Sequence, residues 1–478
     1  MDNSTEFARP PALLEELGKL LAAHRGVFRQ ERVFRRMEAL VFGSLFAFAR
    51  HTLTQLLLAL GLTDADWTAW YRLFSRERFQ EEALAHTLFG EVLEEAPGVD
   101  SPYVVAVDAT QFPRASHKMP GTGWLKAPRT PPFKPGIHRA QRFVIGWWLL
   151  PIVEGFCRAL PLRTFPAFAP KAVPSATPPR TEWQAGSDFL AWVRGELDRA
   201  GRQAQQVLGI GDGHYDVVDL WRALPERVSL VARCALNRRL RALPAPATGR
   251  GRPRKYGEPV PSPREWLKEQ EGWQEAHVPV RGHPRRMRYR VEGPYLRERA
   301  PDRPLFLLVL KGRYWQEGTR QGKAWRHRDP VAYLVSAVQR DGEWVLPCPV
   351  ETLLGWLWQR WEVEVGHREL KSGFGVGEMQ CWTPRSAEMS VQWGVWLYGV
   401  LVLAGYRAWG LLGGPSAPGR WWPGARRWAL ATLWGAYRAA LWGTGAFRAL
   451  WDGDGAHWGQ KEGQLAALWN AAGAATRI

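Results

Sequence analysis

The sequence predicts an α/β protein in which a mixed core is flanked by helical regions and interrupted by a β-rich insertion. Two apolar strand patterns that each end in an aspartate indicate the core, YVVAVDAT at 103–110 and QQVLGIGDGHYD at 205–216. Apolar residues at helical spacing before and after the core indicate the flanking regions. A basic, Pro- and Gly-rich stretch followed by further strand patterns indicates the insertion.

Composition narrows the class of partner. The 478 residues carry a formal net charge of +18 and are 46% hydrophobic, so we expect a folded protein that binds a polyanion, either nucleic acid or an acidic membrane surface. We find no uncharged apolar run of membrane-spanning length and no signal-peptide core, which favours nucleic acid. The four cysteines form no CxxC pair, which suits a reducing cytoplasm and argues against structural zinc. A GC-rich genome would also enrich Arg, Ala, Gly, Pro and Trp.

Residues 1–97 are predicted to form a helical, DNA-binding domain. Within it, HTLTQLLLALGLTDADWTAWYRLFSRERF resembles a helix-turn-helix, with Gly61 in the turn and a second helix from Thr63–Asp64. An ordinary helical bundle has the same spacing and is the alternative. The candidate DNA contacts on the second helix are Trp67, Thr68, Tyr71 and Arg72.

Residues 98–236 are predicted to form the first part of the core. One or two strands are expected over 142–155, a helix over 184–201 and a strand over 228–234, in addition to the two strands that end in aspartate. The segments 113–136 and 158–182 are predicted to be loops because they are irregular or rich in proline.

Residues 237–327 are predicted to form the β-rich insertion domain with a basic loop. This loop contains Gly-Arg-Pro-Arg, the core of arms that bind AT-rich minor grooves, so Arg252, Arg254 and Lys255 are candidate DNA contacts. A flexible basic loop that contacts only phosphates is the alternative.

The second part of the core, 328–385, contains a predicted helix of about 22 residues that begins near 350, and 386–478 is a helical C-terminal region. At about 100° per residue, the long helix has a polar stripe beside an apolar packing face. The stripe contains Arg360, Glu364, His367 and Lys371, and the apolar face contains Leu354, Trp358, Trp361 and Val365. Taken alone, such a stripe is typical of a solvated surface.

Three acidic residues change this interpretation. Asp108 and Asp212 end two buried strands and Glu364 lies on the late helix, which is the layout of a ribonuclease-H-like fold. Three converging carboxylates repel one another without a cation, whereas two divalent ions about 4 Å apart can drive an in-line phosphoryl displacement. We therefore predict that these acids bind two Mg²⁺ ions, with Mn²⁺ as a substitute. Asp216 is the competing candidate for Asp212.

The sequence resembles bacterial insertion-sequence transposases of the DDE class, in the branch with a β-rich insertion and the helix signature Y-x2-R-x3-E-x6-K. Arg360, Glu364 and Lys371 match three positions of this signature, and Leu357 stands where the family has tyrosine. VAVDATQFPR, GIGDGHYD and RWEVE resemble the family's three acidic blocks. The resemblance spans most of the chain.

The resemblance implies a metal-dependent transposase that binds terminal inverted repeats, cleaves the element ends and joins them to target DNA. Asp108, Asp212 and Glu364 would be catalytic metal ligands, and Arg360 and Lys371 would contact phosphates. The family's tyrosine helps to hold the terminal phosphate, and Leu357 cannot make that contact.

The resemblance also implies the partners and the setting. We expect double-stranded DNA at the transposon ends and the target, a homodimer in a paired-end complex, no membrane partner and a nucleoid-associated location in the bacterial cytoplasm. Trp315 or Trp325 would hold a flipped base. The alternatives are a nuclease of the same fold without strand transfer and a domesticated, catalytically silent DNA-binding protein.

Overall fold

A large mixed sheet runs through the part of the chain that the computed structural model describes, which is residues 12–128, 134, 136–245, 254–319, 322–415 and 426–442. The strands are β1 (Tyr103–Pro113), β2 (Gly123–Lys126), β3 (Ile137–Leu149), β4 (Ala159–Pro166), β5 (Val207–Gly211), β6 (Val228–Cys234), β7 (Leu240–Ala242), β8 (Pro259–Val260), β9 (Gln274–Val280), β10 (His283–Arg297), β11 (Ala300–Leu310), β12 (Arg313–Thr319), β13 (Gly322–Arg328), β14 (Val331–Ser336), β15 (Val338–Arg340) and β16 (Glu343–Val345). The helices are α1 (Ala12–Ala23), α2 (Glu31–Phe46), α3 (Leu53–Ala59), α4 (Thr68–Ser75), α5 (Glu81–Glu94), α6 (Glu182–Arg199), α7 (Val218–Ala223), α8 (Pro263–Trp266), α9 (Val350–Gln359), α10 (Trp361–Arg368), α11 (Pro384–Trp409) and α12 (Leu430–Trp442).

The centre of the sheet has the order β4-β3-β1-β5-β6-β14. β3 is antiparallel to both β1 and β4, whereas β5 is parallel to β1 and to β6. All five residues of β5 are buried, as expected for a strand covered on both faces. The neighbouring first and middle strands are consistent with a ribonuclease-H-like core.

Helices cover opposite faces of this centre. Gly146 and Trp147 are consecutive on β3 and therefore face opposite sides of the sheet. A Cβ on Gly146 would lie 2.0 Å from the ring of Phe189 on α6, and a Cβ on Gly366 of α10 would lie 2.6 Å from the ring of Trp147. Glycine at both positions thus allows α6 to pack on one face and α10 on the other.

The strands of the predicted insertion continue the same sheet. β11 pairs with β14, β10 pairs with β11, and β7 and β8 follow at the edge, while β12 and β13 form a separate hairpin. The boundaries at 237 and 327 stay predictions, since this pairing shows no break between insertion and core.

Two segments predicted to be loops contain strands. β2 lies within 113–136, and β4 lies within 158–182 although Pro161 and Pro166 belong to it. β4 pairs with β3, and the chain offers it no second neighbour among the described strands. Proline is tolerated on such an edge strand because its missing N–H removes no bond from the sheet interior.

The predicted late helix is observed as α9 and α10, which meet at Arg360, followed by a π-helical turn over Glu369–Gly373. Buried Arg158 holds this turn in place, because its Nη2 lies 2.5 Å from an oxygen of Glu369. α11 follows, and by length and composition it could cross a membrane. The sequence analysis found no apolar run of that length, so this expectation was wrong. In the structure 94% of its apolar window is buried within the protein, and a helix buried on all sides has the same composition as a membrane span.

Candidate active site

Asp108 lies within β1, and Asp212 directly follows β5, the parallel strand next to β1. The last residue pair between these strands is Ala106 with Ile210, so Asp108 and Asp212 each come two residues after that pair. Asp212 caps the short 3-10 helix Gly213–Tyr215, and its Oδ1 accepts a hydrogen bond of 2.8 Å from the backbone N–H of His214. Its Oδ2 lies 3.0 Å from Nδ1 of the same histidine. Strand pairing and the cap therefore hold both carboxylates at one edge of the sheet.

α10 meets this edge through His367. The Nε2 atom of His367 lies 3.5 Å from Oδ2 of Asp108, and the imidazole is 7% exposed. Glu364, one turn earlier, is partly exposed and its Oε1 lies 3.5 Å from Nη2 of Arg360. The structure thus brings the helix of the third predicted acid to Asp108, while the carboxylate of Glu364 itself faces Arg360.

A carboxylate that the sequence analysis missed completes a tighter group. Potential ligand atoms of Glu182, Asp212 and His214 all lie within 4.8 Å of one another, and neither Asp108 nor Glu364 belongs to a group this tight among the described residues. Glu182 is the first residue of α6, directly after the capping residue Thr181. No local pattern identifies it, because helix N-termini commonly carry glutamate.

The electrostatics of this edge are strongly negative. Burial raises the pKa of Glu182, and the charges of Asp212 and Asp108 add to that increase, while Arg142 at 3.6 Å opposes it. The hydrogen bond to Asp212 raises the pKa of His214. The carboxylate oxygens of Glu182 and Asp212 are ligands that fit a divalent cation such as Mg²⁺ or Mn²⁺.

Asp216, the competing candidate, has a different environment. Its carboxylate is buried, forms ion pairs with Arg238 and Arg297, and accepts a hydrogen bond of 3.2 Å from Nε1 of Trp221. Both of its oxygens therefore have partners, which come from α7, from the segment after β6 and from the end of β10. Asp212 is the acid of this block that lies at the sheet edge with Glu182.

The two predicted phosphate contacts on this helix lie at different places. Arg360 lines a cleft of about 820 Å³ together with Asp212 and His214. Nζ of Lys371 lies 5.7 Å from the ring centroid of Phe112, which is four residues further along β1 than Asp108. Arg360 thus shares a cleft with Asp212, while Lys371 lies further along β1.

The long helix differs from its predicted pattern at two positions. Trp361, assigned to the apolar packing face, is 58% exposed, because the sheet contacts α10 through Gly366 and His367 instead. Leu357 at the signature's tyrosine position is buried. Its side chain packs in the core and does not present itself to a DNA end.

The remaining predicted DNA contacts lie on other elements. α4 begins at Thr68, later than predicted, with Arg72 exposed and the Tyr71 hydroxyl 2.8 Å from Oγ1 of Thr54. Exposed Arg254 lies 3.8 Å from Glu258, and Lys255 is also exposed.

Two other predicted contacts lie partly or wholly outside this description. Arg252 is outside the described residues, as is the side chain of Trp315. Trp325 is exposed on the β12–β13 hairpin. The roles of all these residues stay predictions.

Comparison with known proteins identifies the class. Residues 25–294 match the family described as DDE superfamily endonuclease, and because this is more than half of the chain, the protein belongs to that family. The family is divalent-metal dependent, and the matched range includes Asp108, Glu182 and Asp212 but ends before Glu364.

No curated protein sequence matches the chain. Among solved structures, the chain is similar to the piggyBac transposase in a cryo-EM synaptic complex with hairpin DNA. That alignment has a TM-score of 0.34 and 11% sequence identity, and it covers 93% of this chain and 80% of the other.

Proposed function

We propose that this protein is a DNA transposase that binds the terminal inverted repeats of its element, cleaves the ends and joins them to target DNA. The observation that carries the proposal is the placement of Asp108 in β1 and of Asp212 directly after the neighbouring parallel strand β5, with α10 in contact with Asp108, in a chain of the DDE endonuclease family. The net charge of +18 supports a polyanionic substrate.

Asp108, Asp212 and Glu364 would hold two divalent cations, with Mg²⁺ as the physiological ion and Mn²⁺ as a substitute. Bound there, the ions supply activation of water or a 3′-hydroxyl and stabilisation of the leaving oxygen. The charges of the site fit this assignment, because burial and the charges of Asp212 and Asp108 raise the pKa of Glu182, and a cation bound among these acids would relieve the repulsion.

Side chains of the protein would position the DNA. Arg360 lies in the same cleft as Asp212 and can contact a phosphate there, and Arg233 and Arg238 also line this cleft. It is also the partner of Glu364 at 3.5 Å. A DNA phosphate that binds Arg360 would therefore release the carboxylate of Glu364. Glu364 could then join Asp108 and Asp212 as a metal ligand when the substrate binds. His214 keeps Asp212 oriented through Nδ1 at 3.0 Å.

The test uses the DNA that flanks the gene. Terminal fragments are incubated with the full-length protein and Mg²⁺ or Mn²⁺, and cleaved and joined products are quantified. We expect Asp108→Asn, Asp212→Asn and Glu364→Gln each to lower cleavage by at least ~10²-fold, since metal stabilisation is worth several kcal/mol. Glu351→Gln, at an exposed position in the first turn of α9, is the matched control and should cleave normally.

The products separate the alternatives. Joined DNA with short flanking duplications supports a transposase, whereas cut ends alone support a nuclease of the same family. A wild-type protein that binds the terminal DNA and never cuts it with either ion would refute the enzymatic proposal.

A further inference from the structure

We propose that Glu182 is a metal ligand of this active site and that Glu182 and Asp212 together bind a divalent cation before DNA arrives. The inference rests on the proposed function, since it adds a fourth carboxylate to the predicted set of three. It also states that, in the protein without DNA, Glu182 and not Glu364 binds the cation with Asp212.

The position of Glu182 gives it access to the edge from the side opposite α10. α6 packs on the face of the sheet where Gly146 leaves room for its Phe189 ring. The first residue of α6, Glu182, lies near the end of β5, where Asp212 caps the short helix. An octahedral ion with bonds of about 2.1 Å holds its ligand atoms roughly 3–4 Å apart. The observed limit of 4.8 Å is therefore within reach of a small side-chain rotation.

A second observation points to a ligand at the same place. The hydroxyl of Tyr215 is fully buried and has no hydrogen-bond partner among the described residues. Its ring lies against Gly186, one turn along α6 from Glu182, and burial raises the pKa of Tyr215, with the charges of Glu182, Asp108 and Asp212 adding to the increase. A buried hydroxyl without a partner costs about 1–3 kcal/mol, which a water in the coordination shell of a cation would offset.

The alternative role for Glu182 is an ion pair with Arg142. The two side chains approach to 3.6 Å, which is too long for a hydrogen bond. Arg142 has another partner, because its Nε donates to the backbone oxygen of Ala167 at 3.1 Å. The guanidinium thus balances part of the charge of Glu182 and competes with a cation for it. Removing Arg142 should therefore strengthen metal binding.

The experiment measures Mn²⁺ binding to the DNA-free, full-length protein by calorimetry and by the loss of free Mn²⁺ signal in electron paramagnetic resonance. We expect Glu182→Gln to raise the Kd at least ~10-fold and Asp212→Asn to raise it as much or more. Glu364→Gln should change it less than about twofold, because Glu364 faces Arg360 at 3.5 Å. Asp188→Asn, an exposed position on the same helix, is the matched control.

Arg142→Gln should have the opposite effect to Glu182→Gln and lower the Kd for Mn²⁺ several-fold. Circular dichroism and thermal unfolding establish that each variant is folded. The inference is overturned if Glu182→Gln binds Mn²⁺ as Asp188→Asn does, or if Glu364→Gln weakens binding as much as Glu182→Gln.

Failure of the proposed function has a separate signature. Mn²⁺ binding that requires Glu182, in a protein that never cleaves terminal DNA, would refute the transposase and leave the metal site standing. If the protein cleaves DNA but its Mn²⁺ affinity is unchanged by Glu182→Gln, only the metal site at Glu182 is refuted.

Discussion

The ion pair between Arg158 and Glu369, just after α10, allows a quantitative test of how that helix is held. Arg158 is 2% exposed and Glu369 11%, and one oxygen of Glu369 lies 2.5 Å from both Nη2 of Arg158 and the hydroxyl of Tyr398. Nη1 of Arg158 donates to the backbone oxygen of Trp428 at 3.0 Å, and the guanidinium lies 4.3 Å from that ring's centroid. The π-helical turn after α10 is thus attached to Arg158, the residue before β4, and to Tyr398 of α11.

Glu369→Gln should lower the free energy of unfolding by about 3–5 kcal/mol. The substitution keeps the size of the side chain and leaves the Arg158 guanidinium buried without a counter-charge, which is the costly half of a broken buried pair. Replacing both partners, as in Arg158→Met with Glu369→Met, should recover most of the loss because no unpaired charge remains. Urea unfolding followed through tryptophan fluorescence measures each value.

An exposed ion pair is the control. Lys19 and Glu15 approach to 3.0 Å with side chains 57% and 50% exposed, so Glu15→Gln should leave the free energy of unfolding essentially unchanged. A loss below about 1 kcal/mol for Glu369→Gln, or a double variant less stable than the single one, would refute the reasoning.

Three further outcomes follow from the structure. Gly366→Ala should slow DNA cleavage at least ~10-fold with DNA binding retained, because its Cβ would lie 2.6 Å from the Trp147 ring and push α10 off the sheet; Gly90→Ala, with open space around it, is the control. Burial lowers the pKa of His24 to about 4. The unfolded chain binds this proton below about pH 6.5, so wild-type stability should fall by roughly 3 kcal/mol from pH 6.5 to 4, and urea titrations should show that His24→Gln lacks this part of the loss. Arg360→Gln should reduce the salt-dependence slope of DNA binding by about one, and an unchanged slope would remove Arg360 from the phosphate contacts.

The parts of the fold that follow local rules were predictable. The two apolar runs before Asp108 and Asp212 do form strands, because hydrophobic periodicity depends on a few neighbouring residues. β1, however, continues past Asp108 to Pro113, and the helix after Pro349 is interrupted at Arg360. β4 was missed because its prolines indicate a loop, and only its place at the edge of β3 makes them acceptable. Trp361 was assigned to the wrong side because the helix packs through a glycine.

By itself, the sequence determined which residue types are available: a basic chain, an aspartate after each of two apolar strand patterns, and a helix with arginine, glutamate and lysine in one stripe. Only the tertiary structure decided which groups meet. Glu182 precedes Asp212 by 30 residues and lies on α6, on the face of the sheet opposite α10, so no periodicity connects the two residues. Likewise, only the fold shows that Asp216 is neutralised by Arg238 and Arg297 while Asp212 lies at the edge. The physical reason is that spacing along a chain constrains side chains within one element, whereas a metal site is assembled from several elements whose packing sets the distances.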